Sequence, residues 1–327
     1  LKDLLTALYT EQIAGTYDDK TKDITIVEGG EEKGVDRSTT LAHEIEHAIQ
    51  DQNFHLDKPP LEDDTYSGDE SFAVTCLVEG DAMNTMYEYQ SEYIDLGKLV
   101  ESRVKGRQEP VMKEFDRAPE YIRESLLFPY TKGYEFVAAL VEEGGLEEVN
   151  QAFRNPPVST EQIMHPEKYF LNRDDPVEVP LPDMTSSLGG VFKKIDEDTL
   201  GEFDFSVWLK QYIPEAEAAR AAEGWGGNTI QYYQGPEGRY LFTNMTAWDT
   251  DPDAMEFFSS YEDMLRKRFT GGVKKAGGGP GWYLYKAHGE YYYGAVRGAE
   301  TLCVQGTQRA DINTAVSLAG GFPAPSP

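Results

Sequence analysis

The chain has 327 residues, 39% of them hydrophobic and 12% aromatic, which is enough for a sizeable buried core and too apolar for a disordered chain. Fifty-eight acids against thirty bases give a formal net charge of −28, a field that repels phosphate backbones and argues against nucleic acid as a partner. No run of eighteen apolar residues occurs, so no transmembrane segment is expected.

The acids are scattered along the chain and not gathered in one tail. Such a surface fits a protein adapted to high salt, and it fits plain solubility equally well. The sequence opens at Leu1 with neither methionine nor a signal-type apolar core, as a mature or trimmed fragment would. Two cysteines, Cys76 and Cys303, make neither a disulfide framework nor a CxxC metal knuckle. Cys76 falls in an apolar helical run and is expected as a buried thiol.

In chain order, residues 13–27 read as strand, polar DDKTK turn and strand, a hairpin. A helix capped by Ser38 or Thr39 should run to about Gln52, with Leu41, Ile45, Ala48 and Ile49 marking its buried side. Ser67 and Glu70 resemble a capping box, opening a long helix to about Tyr93. Further helices are expected at 96–107, 113–127 and 131–154, broken at Pro110, Pro129 and Pro156–Pro157. Residues 158–187 are proline-rich and read as irregular. From Leu188 a second organisation begins: a helix at 203–212, strands at 228–234 and 239–248, and a helix at 252–268. After a flexible AGGGPG stretch come strands at 281–287, 290–297 and 300–305 and a helix at 309–319. The strand–strand–helix–strand–strand order predicts a small α+β domain.

The chemistry concentrates in HEIEH at 43–47. Residues four apart share one face of a helix, so His43 and His47 can offer two imidazole nitrogens to one metal ion, while Glu44 can reach water on that metal. The competing reading is a helix whose histidines only cap or pack. Two histidines do not complete a tetrahedral site. A third histidine six residues beyond His47 would mark a metzincin, but Asn53 stands there and residue 50 is Gln, not Gly. His55 is displaced from that register and reads as a loop residue. Glu79 is the better third ligand. It interrupts the apolar run from Phe72 to Met83, where a lone carboxylate is costly unless a cation compensates it; the alternative is an Arg partner or an exit to solvent. Gly80 and Ala82 are small and would let this helix approach the metal helix closely. Two histidines and one glutamate leave a fourth position open for water, the catalytic pattern and not the structural one. Asp51 and Asp81 could each hold a ligand imidazole by its second nitrogen, or be surface charges.

These residues resemble the gluzincin metallopeptidases, the thermolysin-like group with an HExxH helix and a glutamate on a following helix. A nearer resemblance is to poorly characterised prokaryotic, often extracytoplasmic, HExxH proteins, carried by EQIAGTYDDKT at 11–21, LAHEIEHAIQDQNF at 41–54, LVEGDA at 77–82, FPYTKGYEFV at 128–137 and PPVSTEQIMHPEKY at 156–169. AAEGWGGN and the TAWDT segment after it are similar to that group as well. The glutamate lies farther from the histidines than in thermolysin, so the connection between the two helices must differ. The resemblance implies Zn2+ as cofactor, a peptide or protein substrate, Glu44 as general base and then proton donor, and an oxyanion donor drawn from His165, Tyr169 or Tyr130. The hairpin would offer an edge strand for a substrate backbone, or be ordinary sheet.

The expected fold class is α+β: a mainly helical zincin-like metallopeptidase domain with a small N-terminal β-hairpin at 1–187, followed by a smaller α+β domain at 188–327. The expected function is zinc-dependent peptide-bond hydrolysis outside the cytoplasm. The alternatives are a zinc-binding but catalytically inactive surface or interaction module, and a metal-free structural protein of a cell envelope.

Overall fold

A computed structural model describes residues 4, 6–8, 14–27, 37–94 and 113–325. It is a mixed α/β protein that divides into two compact units. The first comprises residues 1–66, 70–158 and 162–173, and the second residues 67–69, 159–161 and 174–327.

The first unit opens on a hairpin of β1 (Gly15–Asp18) and β2 (Asp23–Ile26), antiparallel, with Tyr17 opposite Ile24. The turn is set by Asp18, whose carboxylate accepts the backbone N–H groups of Lys20 and Thr21. Helix α1 (Arg37–Phe54) follows and ends where His55 takes a left-handed φ of 58°. His55 therefore lies past the helix, in keeping with a loop position. Helix α2 (Gly68–Tyr93) is long and carries Cys76 and Leu77 fully buried. The helix expected at 96–107, with Pro110, lies outside the described residues.

Two expectations for the helices of this unit fail for physical reasons. Leu41, Ile45 and Ile49 on α1 are 40%, 43% and 45% exposed, whereas Thr39, Thr40, Glu44, Gln50 and Asp51 are buried. The side of α1 turned toward its neighbours is its hydrogen-bonding side, so apolar periodicity picked the wrong face. Pro129 does not break the chain: after a short α3 (Lys113–Arg117), helix α4 (Glu120–Gly144) runs straight through it. An interior proline costs about 3 kcal/mol. Burial of Phe128, Phe136, Val137 and Leu140 on the same helix contributes roughly 1.5–3 kcal/mol each and outweighs it. The break comes instead at Gly145, whose φ of 74° ends α4 before α5 (Leu146–Arg154) begins. Residues 158–187 hold two short helices, α6 (Thr160–Met164) and α7 (Glu167–Phe170), in an otherwise irregular stretch.

The second unit is built on a seven-stranded antiparallel sheet in the order β3-β4-β5-β9-β8-β7-β6. Its elements are β3 (Lys193–Asp198), α8 (Glu202–Lys210), α9 (Glu215–Ala222), β4 (Trp225–Gln234), β5 (Tyr240–Trp248), α10 (Asp251–Arg268), β6 (Lys274–Gly279), β7 (Trp282–Ala287), β8 (Glu290–Arg297), β9 (Glu300–Gly306) and α11 (Arg309–Ala319). Trp225, Trp248, Tyr285 and Cys303 pack with α8, α9 and α10 in one core. Tyr233, Leu241, Leu284 and Leu302 pack with α11 and the segment around Met184 and Phe192 in another. The alternating strands thus bury both faces. Strands β3 and β6 escaped sequence reading because both are edges: KKIDED and KKAGGG hold no buried residue and carry no apolar alternation.

Candidate metal centre

His43 and His47 project from one side of α1, their rings edge to face with centroids 4.7 Å apart. Their Nε2 atoms lie 3.1 Å from each other. Glu79, from α2, brings Oε2 to 3.3 Å from His43 Nε2 and 3.5 Å from His47 Nε2. Three ligand-type atoms from two helices therefore form a near-equilateral triangle. A tetrahedral ion at the usual zinc distances of about 2.0–2.1 Å needs ligand atoms about 3.3–3.4 Å apart. The donor set and spacing fit such an ion.

Electrostatics point the same way. Burial pushes Glu79 up, but the two imidazoles beside it outweigh that and hold the carboxyl down at about 2, so it stays ionised. Glu79 Oε2 is nevertheless buried without a sound hydrogen bond, a costly state for an anion that a cation relieves. The side chains of His43 and His47 are each 12% exposed and that of Glu79 20%, so solvent reaches the triangle. An open fourth position is compatible with that exposure.

His47 is held from behind. Its Nδ1 lies 2.9 Å from Oε1 of Gln50, whose amide nitrogen donates to Val78 O (3.1 Å) and to Asp81 Oδ2 (2.9 Å). Asp81 thus acts on His47 through Gln50. Gln50 itself was missed in the sequence, although it stands one turn from His47 on the same helix. Asp51, the other candidate for that support, is used elsewhere: it accepts the Tyr17 hydroxyl at 2.6 Å and pairs with Lys22 at 2.5 Å, tying the hairpin to α1.

Glu44 is buried against the hairpin. A side chain at Gly15 would stand 3.0 Å from Glu44 Cγ and Oε1, so glycine there lets β1 lie directly on the helix. The Tyr17 backbone N–H donates to Glu44. Burial raises the Glu44 carboxyl above its ordinary value despite the nearby imidazoles, in the direction a proton-shuttling group requires.

The chain matches a family model described as "Domain of unknown function (DUF8575)" over residues 190–316, a range within the second unit that includes none of the triangle residues. No curated protein matches. Among solved structures the chain is similar to the extracellular domain of PknH from Mycobacterium tuberculosis, at 13% identity and a TM-score of 0.30, over 45% of this chain and 94% of that one. So slight a likeness bears on neither fold nor function.

Of the three oxyanion-donor candidates, Tyr130 is the one beside the triangle, its ring centroid 6.2 Å from that of His43. Tyr169 is committed elsewhere: its hydroxyl donates to Asn155 O at 2.7 Å and its ring packs on Phe136. His165 is half-buried in the turn between α6 and α7. Gly80 does not face the metal helix as expected. A Cβ on Gly80 would stand 2.2 Å from Gly133 O, and one on Gly133 would stand 2.2 Å from Cys76 O. The close approach is between α2 and α4, and it sets the helix that carries Glu79 against the helix that carries Tyr130.

Proposed function

We propose that this chain is a zinc-dependent peptide-bond hydrolase of gluzincin type. The observation that carries the reading is the triangle of His43 Nε2, His47 Nε2 and Glu79 Oε2, with edges of 3.1, 3.3 and 3.5 Å. A zinc ion held there supplies a Lewis acid that acidifies water and polarises a carbonyl.

The rest falls to the chain's own residues. Glu44 lies one step round the helix from His43, with its carboxyl raised by burial. It accepts the proton of the attacking water and returns it to the departing amine. The Tyr130 hydroxyl, on a half-exposed side chain near His43, donates to the oxyanion. Strand β1 pairs with β2 along one edge, and its other edge offers backbone groups to an extended substrate. Among the described residues no helix is long and apolar enough to cross a membrane. Work outside the cytoplasm, on peptides or proteins, accords with the acidic surface and with the prokaryotic proteins that the motifs resemble.

The test is Glu44→Gln in the full chain. Retained zinc with loss of cleavage of a broad peptide library supports the hydrolase. A parent protein that holds zinc and cleaves nothing in that library favours an inactive zinc-binding module.

A further inference from the structure

A cavity of about 680 Å3 opens beside α1, with a lining that does not include Glu44. That volume lies within the range of small-ligand sites. Part of its wall is apolar: Ile49 and Phe54 from α1, with Leu146 and Phe153 from α5. Phe54 and Phe153 stack with centroids 4.6 Å apart and form a rigid aromatic surface. The polar lining holds two carboxylates beside the amides of Gln50, Asn53 and Asn150 and the guanidinium of Arg154. Glu46 and Asp81 both face the cavity, each hydrogen-bonded to a neutral side chain, Thr85 Oγ1 at 3.0 Å and Gln50 Nε2 at 2.9 Å respectively. The lining cation Arg154 is drawn to Glu147 at 3.6 Å and lies over Phe54.

We infer that this cavity binds a small organic ammonium ion carried on an apolar, preferably aromatic, body. Two carboxylates with no Lys or Arg ion-pair partner among the described residues suit the ammonium, and the stacked phenyl rings suit the apolar part. Neutral and anionic molecules of the same shape lack the charge that these carboxylates select. Gln50 belongs both to this lining and to the support of His47, so occupancy is felt at the His47 ring. The lining includes none of His43, Glu44, His47 and Glu79, and binding there needs no metal.

Calorimetric titration of the metal-free full chain with phenethylammonium tests this, with phenethyl alcohol and phenylacetate as matched probes. The amine should bind saturably at one site, with both analogues at least about tenfold weaker. Leu146 is 62% exposed, so Leu146→Arg should leave the fold intact while weakening the amine at least about tenfold. Ring-nitrogen NMR should show the His47 resonances moving with amine in the parent and not in L146R. Equal binding of the alcohol, unchanged binding by L146R, a His47 ring blind to saturating amine, or no saturable binding would overturn the inference. Because the titration is done without zinc, its failure is distinguishable from failure of the hydrolase reading.

Discussion

Nδ1 of His47 meets Oε1 of Gln50 at 2.9 Å, and this contact fixes which nitrogen the ring turns toward Glu79. The Gln50 amide nitrogen must donate to Val78 O and Asp81, so only its oxygen is left for His47. Nδ1 therefore carries the proton, and Nε2 presents its lone pair to a cation. Gln50→Ala should weaken zinc binding about 10–100-fold in competition with a chromophoric chelator. Asp51→Asn, which touches the hairpin and not the imidazole, should change it less than about twofold and lower the thermal midpoint instead. Equal effects of the two variants on zinc would contradict this division.

The two tyrosine candidates separate cleanly. Tyr130→Phe should lower kcat by about 10²–10³-fold with little change in KM, the signature of a donor used in the transition state. Tyr169→Phe should leave kcat within about twofold, because its hydroxyl is bound to Asn155 O. Steady-state kinetics on one good peptide decides between them.

Gly133 is where two helices meet backbone to backbone. Gly133→Ala sets a methyl group against Cys76 O, so α2 and α4 must part, at a cost of about 1–3 kcal/mol. Because Glu79 rides on α2, zinc affinity should fall at least about fivefold as well. Gly145→Ala serves as the control. It strains a backbone of φ 74° and ψ −164°, a region essentially confined to glycine, with open space around it, by about 1–3 kcal/mol. It should lower stability in urea while leaving zinc affinity unchanged.

In the second unit Asp69 is buried and accepts the Thr160 hydroxyl at 2.6 Å and its backbone N–H at 3.1 Å. Burial pushes its carboxyl up to about 8 against those hydrogen bonds. The folded chain keeps a proton there that the unfolded chain releases near the ordinary value of 3.8. The stability linked to that proton is therefore full below the unfolded value. It is lost as pH rises toward the folded one, at up to about 1.4 kcal/mol per pH unit. Asp69→Asn removes the linkage, so its stability relative to the parent should improve from about pH 5 to about pH 8 in urea unfolding. Parallel pH profiles for the two proteins would contradict it.

Sequence reading reached the parts whose signal is local. The DDKTK turn marked the hairpin, and apolar alternation marked β4, β5, β7, β8 and β9. Helical spacing put His43 and His47 on one face, and a lone acid in an apolar run singled out Glu79. The misses come where tertiary contacts override local pattern. Leu41, Ile45 and Ile49 obey helical periodicity yet face outward, because α1 meets its neighbours through hydrogen bonds accepted by Glu46 and Asp51 and donated by Gln50. Pro129 would end an isolated helix and survives in a well-packed one. Which way Gly80 faces depends on where α4 lies, and no window around residue 80 contains that.

Zinc K-edge absorption spectroscopy on the full chain, after zinc loading and dialysis, tests the central claim most directly. The account predicts about one equivalent of zinc, with two imidazole nitrogens and one carboxylate oxygen at about 2.0–2.2 Å and an additional light ligand from solvent. Glu79→Ala should remove the carboxylate contribution. Less than about half an equivalent of zinc, or a bound ion with no imidazole in its shell, would contradict it.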